Sequence, residues 1–363
     1  MDAAPNALTL ASVLPACAAL RSLGAGRAIH GFWLRRGGVP GANLTVDNAV
    51  LDAYAKCRAL GSARRLFDGM PRRDVCSWTA MVWGLARSAS PHDAVGMFRA
   101  MLSDGGGGGG AAPNEATVVS VLHAVACTGS LACGEALHSY ALKRGLAGEQ
   151  VVGNALINAY AKCGDARMAF RAFDELPEKD LVSWGTVTRA MAVNGRCREA
   201  LQLLSLMLRQ GVRPDGAVFL ALLSACCHVG LAEQALEVLD AMRRVYGIAP
   251  GKEHYTCALD ACGRAGRIDK FEEIVRQMPA EYDQQVLGVC CASVSEWRAR
   301  GVAGVGGEQL WERFLDGEVD AVGGMYALMS KSLADVGRCE DACAVRQRMT
   351  ARRIEKTAAC TWI

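Results

Sequence analysis

The feature that most constrains the fold is an internal repeat, which aligns the chain with itself. When the sequence is shifted by 106 residues, residues 48–74 fall on residues 154–180 without a gap, and 13 of the 27 positions are identical. A second shift, of 108 residues, overlays residues 9–37 on residues 117–145. A chain that repeats in this way folds as a row of similar units, each of which buries its apolar face against its neighbours.

Each repeated unit contains two apolar-periodic stretches that flank a glycine or a small polar turn. Ala63, Leu66 and Phe67 follow the three-to-four spacing of an amphipathic helix. Pro71 and Pro177 follow the second stretch, and proline ends a helix near that point. Because neither helix could bury its apolar face alone, the pattern predicts an all-α fold, a solenoid of stacked antiparallel helix pairs.

The repeats divide residues 1–283 into about eight modules, followed by a degenerate region at 284–363. The predicted modules are 7–43, 44–74, 75–114, 115–149, 150–180, 181–215, 216–251 and 252–283. Six consecutive glycines at 105–110 lengthen the third module. No strand is predicted before them and no Lys-Ser/Thr follows, so we interpret them as a flexible insertion and not as a phosphate-binding loop.

Composition narrows the classes of function that remain. The net charge of +3 is too small to indicate nucleic-acid binding by itself, and no apolar run reaches the ~18–20 residues of a membrane span. The 16 cysteines include no Cys-x-x-Cys, so they are interpreted as small buried side chains in a reducing compartment. The first residues, MDAAPNALTL, are not typical of a signal or transit peptide.

The segments NALINAYAKCGDARMAFRAFDELPEKDLVSW, NAVLDAYAKC, ALLSACCHVG, MRRVYGIAP and EHYTCALDACGRAGRI are similar to repeats of a known family. They resemble the pentatricopeptide repeat (PPR) family of land plants, and specifically its PLS subclass, in which long, short and standard repeats alternate. The closing RQRMTARRIEKTAACTWI resembles part of the E-type C-terminal extension of that subclass. The resemblance implies a right-handed superhelix.

The resemblance also implies a function: sequence-specific binding of single-stranded RNA, one base per repeat, in C-to-U editing in the mitochondrion or chloroplast. Such binding is physically reasonable, because unstacked bases present hydrogen-bonding edges to side chains that recur at a regular spacing. A pairing between a side-chain amide and a base supplies on the order of 1–3 kcal/mol of discrimination.

In the family, a base is selected by a residue near the start of the first helix together with the last residue of the same repeat. The resemblance implies four such selector pairs, preferring U, A, U and G in turn: Asn48 with Asp74, Thr79 with Asn114, Asn154 with Asp180, and Thr256 with Asp283. It also implies that Val151 and Val182 wedge between neighbouring bases. A structural alternative is that the asparagines cap helices and the aspartates lie in turns, which is compatible with base selection.

Other modules depart from this pattern. Their selector places hold residues without a hydrogen-bonding side chain, namely Ala11, Val119, Gly185, Leu220 and Gly288. The readable pattern is therefore short.

A catalytic role in editing would require a zinc deaminase, with a His-x-Glu and a Pro-Cys-x-x-Cys motif. Neither motif occurs, so the chain is expected to be a recognition factor and not an enzyme, with no metal or cofactor. It is expected to lack the DYW deaminase domain and to recruit a DYW-type deaminase, or another editing-complex protein, through the C-terminal extension.

Two alternatives stay open. One is a protein–protein scaffold of the related tetratricopeptide kind, although the aromatic signature of that family is missing. The other is a truncated, non-functional member of the PPR family.

Overall fold

The computed structural model describes residues 5–104, 111–279, 286, 330–331, 334, 337 and 339–351. Those residues form helices and no strand, which confirms the predicted all-α fold. The helices are α1 (Ala7–Ala19), α2 (Leu23–Arg35), α3 (Leu44–Lys56), α4 (Leu60–Asp68), α5 (Val75–Ala86), α6 (Pro91–Asp104), α7 (Glu115–Thr128), α8 (Leu131–Lys143), α9 (Gln150–Lys162), α10 (Ala166–Asp174), α11 (Leu181–Val193), α12 (Cys197–Arg209), α13 (Gly216–Val229), α14 (Ala232–Arg244), α15 (Lys252–Ala265), α16 (Ile268–Gln277) and α17 (Cys339–Ala351). The glycine run at 105–110, Asp283, Gly288 and most of the predicted extension lie outside the described residues.

The odd-numbered helices from α1 to α15 are called first helices below, and the even-numbered helices from α2 to α16 are called second helices. The chain divides into two compact units, residues 1–190 and residues 191–363. In the first unit, α1, α3, α5, α7 and α9 pack against one another in that order, and α2, α4, α6 and α8 each pack against the first helix that follows. In the second unit, α13 packs against α12, α14 and α15, and α16 packs against α14 and α15.

Polar caps set the starts of several first helices. The Asp74 carboxylate accepts the Ser77 backbone N–H at 2.8 Å at the start of α5, and Asn114 Oδ1 accepts the Thr117 N–H at 3.0 Å at the start of α7. Each cap satisfies a backbone donor that a helix leaves unpaired in its first turn. Gly129 ends α7 with a φ of 66°, a left-handed conformation that glycine adopts without a steric penalty.

Aromatic pairs hold consecutive helix pairs together. Phe67 on α4 meets Trp78 on α5 with ring centroids 4.8 Å apart, and Phe173 on α10 meets Trp184 on α11 at the same distance. Both contacts are edge-to-face, a geometry that aromatic rings favour, and Trp184 is fully buried. The two contacts are related by the 106-residue repeat.

Histidines make a second type of contact between helix pairs. His30 Nδ1 lies 2.9 Å from the Tyr54 hydroxyl, and His138 Nδ1 lies 3.0 Å from the Tyr160 hydroxyl. His138 Nε2 also lies 3.1 Å from a Glu175 carboxylate oxygen. Burial lowers the pKa of His30. These histidines thus connect a second helix to the first helix that follows.

None of the described helices is long and apolar enough to cross a membrane.

Candidate nucleic-acid interface

Two positions recur along the first helices with constant exposure. The second residue of each is exposed: Leu8, Thr45, Cys76, Ala116, Val151, Val182, Ala217 and Glu253. The fifth residue of each is half-buried: Ala11, Asn48, Thr79, Val119, Asn154, Gly185, Leu220 and Thr256. We call these two positions the reader positions. The fifth position is the predicted selector place, so each selector is held by its helix on one side and is open to solvent on the other.

The first predicted selector pair is joined directly. Asn48 Nδ2 donates to both carboxylate oxygens of Asp74, at 3.0 and 3.1 Å. The single proton of the fully buried Ser77 hydroxyl is shared between Asn48 Oδ1 at 2.7 Å and Asp74 Oδ1 at 2.9 Å. Because one N–H is shared between the two carboxylate oxygens, the second N–H of Asn48 and one lone pair of its Oδ1 remain available to a ligand. A donor and an acceptor side by side match the acceptor and donor on a uracil edge.

Hydrogen bonds control the charge of this pair. Burial acts to raise the pKa of Asp74, but the backbone N–H and hydroxyl of Ser77 and the Asn48 amide all donate to the carboxylate. Their combined effect is larger, so the pKa of Asp74 lies below its ordinary value. Asp74 therefore stays ionised and keeps the Asn48 amide oriented.

The second predicted pair is joined through a third residue. The Thr79 hydroxyl lies 2.7 Å from the Thr117 hydroxyl, which donates to Asn114 Oδ1 at 2.9 Å. Since Thr117 uses its only proton on Asn114, the Thr79 hydroxyl donates to Thr117 and offers its lone pairs outward. Asn114 is exposed, so its amide donors are open to a ligand. Thr117 thus occupies the place of Ser77 in the previous pair.

The third predicted pair is not joined. Ser183 Oγ lies 2.8 Å from Asp180 Oδ1, but its other neighbour is Gln150 Oε1 at 3.2 Å. Gln150 is fixed in turn by donating to the Glu178 backbone carbonyl at 3.0 Å. Asn154 Oδ1 is buried and has no hydrogen-bond partner in the described part of the chain. The same Asn–Asp combination therefore has two different surroundings in the two modules.

The fourth predicted pair is described in part. The Thr256 hydroxyl donates to the Lys252 carbonyl of its own helix at 2.8 Å, which leaves its lone pairs directed away from the helix. Its predicted partner, Asp283, lies outside the described residues.

The two valines predicted to wedge between bases are exposed apolar side chains. Val151 and Val182 each retain 61% of their accessible surface. Leu8, at the same reader position of α1, is 73% exposed and was not singled out from the sequence. Its position, three residues before the Ala11 selector place, was the signal available in the sequence.

The hydroxyl residues that lie beside the selector pairs were also not predicted from the sequence. Ser77, Thr117 and Ser183 are each fully buried at the third residue of a first helix. Their signal is a Ser or Thr three residues after the capping Asp or Asn, as in a capping box. In the described residues no group of three His, Cys, Asp or Glu side chains is arranged to hold a metal ion.

Sequence comparison identifies the family. The profile described as "PPR repeat" matches residues 48–75, 76–106, 154–181, 182–212 and 253–281, and that described as "Pentatricopeptide repeat domain" matches residues 202–265. Together they cover more than half of the chain. The chain belongs to the pentatricopeptide repeat family, which confirms the family resemblance.

Its relatives include plant proteins of two organelles. A chloroplastic pentatricopeptide repeat-containing protein of Arabidopsis thaliana is 30% identical over 99% of this chain and 40% of its own length. A mitochondrial one from the same plant is 32% identical over 95% of this chain and 60% of its own length. The chain thus spans less than two thirds of the length of either relative.

Solved structures share the fold. The pentatricopeptide repeat protein PPR10 in complex with an 18-nt psaJ RNA element matches with a TM-score of 0.66 and 18% identity, over 98% of this chain and 52% of that one. PPR10 from maize in another crystal structure matches with a TM-score of 0.58 and the same identity, over 98% of this chain and 55% of that one.

Proposed function

We propose that this chain is a sequence-specific single-stranded RNA-binding protein that acts in organellar RNA modification. The observation that carries the proposal is the Asn48–Asp74–Ser77 arrangement, in which a half-buried amide is oriented by an ionised cap and presents one donor and one acceptor outward. An unpaired base recognised on its edge requires such a pair of groups. Similarity to PPR10, solved with RNA, supports the same function.

The proposed readers are the four selector pairs, with Val151 and Val182 as apolar wedges between bases. In this proposal Asn48 with Asp74 prefers U, Thr79 with Asn114 prefers A, Asn154 with Asp180 prefers U, and Thr256 with Asp283 prefers G. The donor–acceptor patterns around Asn48 and Thr79 support the first two preferences.

The finer biological role is a further part of the proposal. The chain would be a PLS-subclass protein of about eight repeats with an E-type extension at 284–363, acting as a site-recognition factor for C-to-U editing. A deaminase would be supplied in trans through the extension. The chloroplastic and mitochondrial relatives support an organellar location in one of those two compartments.

The test is binding of the purified chain to a random pool of short single-stranded RNAs. We expect enrichment of a U-A step with a second U two positions after the A, and an affinity that falls as salt rises. Enrichment of other sequences would contradict the selector assignment. Binding that shows no enrichment and no salt dependence would favour a protein scaffold. Loss of specific C-to-U events in a knockout plant would test the role in editing separately.

A further inference from the structure

A cavity of about 180 Å³ opens across three consecutive first helices of the first unit. Its walls include Trp83 from α5 and Arg87 at the C-cap of that helix, Val119 and His123 from α7, and Asn158 from α9. Cavities for drug-sized ligands measure roughly 300–1,000 Å³, so this one suits a single ring system.

The cavity lies beside the reader positions. Trp83, His123 and Asn158 each come four residues, about one helical turn, after the selector place of their own helix. Residues four apart lie on the same helix face, so an RNA strand that follows the selectors passes the mouth of the cavity.

The walls combine an aromatic plane with positive charge. The Arg87 guanidinium stacks over the Trp83 indole with its carbon 4.9 Å from the ring centroid. Arg87 and Lys162 have no carboxylate within ion-pair distance in the described part of the chain. Burial, and then the charges of Arg87 and Lys162, lower the pKa of His123, which keeps this imidazole neutral at physiological pH.

These are the groups that hold an unstacked base. Bases stack on aromatic rings and guanidinium planes, and their edges pair with amides and neutral imidazole. The Asn158 carboxamide and the His123 ring supply donors and acceptors, and the unpaired cations favour the flanking phosphates.

The module at 115–149 has no polar selector of its own, so a base that faces it requires another binding site. Its selector place holds Val119, which has no hydrogen-bonding group, yet Val119 forms part of the cavity wall. We propose that the nucleobase facing this module enters the cavity, stacks on Trp83 and Arg87, and hydrogen-bonds with Asn158 and His123. This inference rests on the proposed RNA binding, and it assigns a base-binding role to a module without a readable selector.

The experiment uses the full chain and RNAs that contain U-A-N-U, in which N faces the module at 115–149. One RNA carries a base at N, and the other carries an abasic nucleotide with the same phosphates. For the unmodified protein we expect the abasic RNA to bind about 5- to 150-fold more weakly, the range for loss of one stacked base. For Trp83→Ala the two RNAs should bind equally.

Two control variants accompany Trp83→Ala. Trp83→Phe retains an aromatic plane and should keep most of the abasic penalty, which separates stacking from any damage to the fold. Phe170→Ala removes an aromatic side chain that is 40% exposed on the second helix α10, and should leave the penalty unchanged.

An equal abasic penalty in Trp83→Ala and the unmodified protein would overturn the inference. The inference would also be overturned if Arg87→Ala weakened the binding of both RNAs equally while Trp83→Ala changed the binding of neither. The cavity would then hold only a phosphate. Failure of the unmodified protein to bind either RNA would instead overturn the proposed function itself.

Discussion

The Asn48 carboxamide donates to both oxygens of the Asp74 carboxylate, which at the same time caps helix α5 through Ser77. One carboxylate thus orients a proposed base reader and starts the next first helix. Capping a helix and selecting a base are therefore compatible roles for these residues, because the same hydrogen bonds serve both. Removing the reader and removing the cap should have separable effects.

Substituting Asn48→Ala removes the proposed reader and leaves the cap in place. We expect the preference for U over the other bases at the position facing this module to fall by about 5- to 150-fold, which corresponds to roughly 1–3 kcal/mol. Dissociation constants for RNAs that differ at that one base measure the effect. Asn6→Ala is the matched control, since Asn6 caps α1 by accepting the Thr9 N–H at 2.9 Å but occupies no selector place. An equal loss of preference in both variants would contradict the assignment.

Substituting Asp74→Asn tests the charge of the pair through the pH dependence of stability. The folded-state pKa of Asp74 lies below the ordinary value of 3.8, so the carboxylate stabilises the fold fully above that value and loses this effect as the pH falls through the folded pKa. Asparagine caps helices about as well as aspartate but does not titrate. We expect the difference in unfolding free energy between the two proteins to be constant near neutral pH and to shrink below 3.8.

Urea unfolding over this pH range provides the measurement. The comparison repeated in a Ser77→Ala background should show a smaller pH effect, because the hydroxyl that helps to lower the pKa is gone. A difference that stays constant down to acid pH in both backgrounds would rule out a stabilising Asp74 charge.

Substituting Gly84→Ala tests the close packing of first helices. A Cβ at Gly84 would lie 2.9 Å from Ala55 Cβ on α3 and 2.9 Å from Leu60 Cδ2. Leu60 can rotate but the Ala55 methyl cannot, so we expect a net loss of about 1–3 kcal/mol in unfolding free energy. Gly96→Ala on α6 is the control, because nothing lies within 4 Å of its Cβ position, and it should gain about 0.5–1 kcal/mol. Chemical unfolding measures the unfolding free energies of both variants, and equal values would refute the packing argument.

The periodicity of the sequence was enough to predict the fold. Apolar spacing and the self-alignment depend only on residues within one helix pair, and these determine where helices form and which faces they bury. The contact of Phe67 with Trp78 and its repeat partner follows from the same alignment, since VCSW overlays LVSW.

The organisation of the reader positions could not be predicted in the same way. The Ser77 hydroxyl reaches Asn48 across 29 residues, and the Thr79 hydroxyl reaches Thr117 across 38. Such contacts depend on how one first helix is placed against the next, which periodicity does not specify. The cavity beside Trp83 requires three helices at once and was missed for the same reason.

Substituting Gln150→Leu tests why two identical selector pairs differ. Leu44 stands where Gln150 does in the earlier repeat, and there the serine hydroxyl reaches the asparagine oxygen. Without Gln150, the Ser183 hydroxyl should turn to Asn154 Oδ1, which is now a buried acceptor without a partner. We therefore expect the unfolding free energy to rise by up to about 1 kcal/mol. The preference for U facing this module should strengthen, because the Asn154 amide would then be oriented by the serine hydroxyl as the Asn48 amide is. The reciprocal Leu44→Gln should lower stability and weaken the preference for U at its own module. If both variants matched the unmodified protein in urea unfolding and in RNA binding, the difference between the two selector pairs would not depend on Gln150.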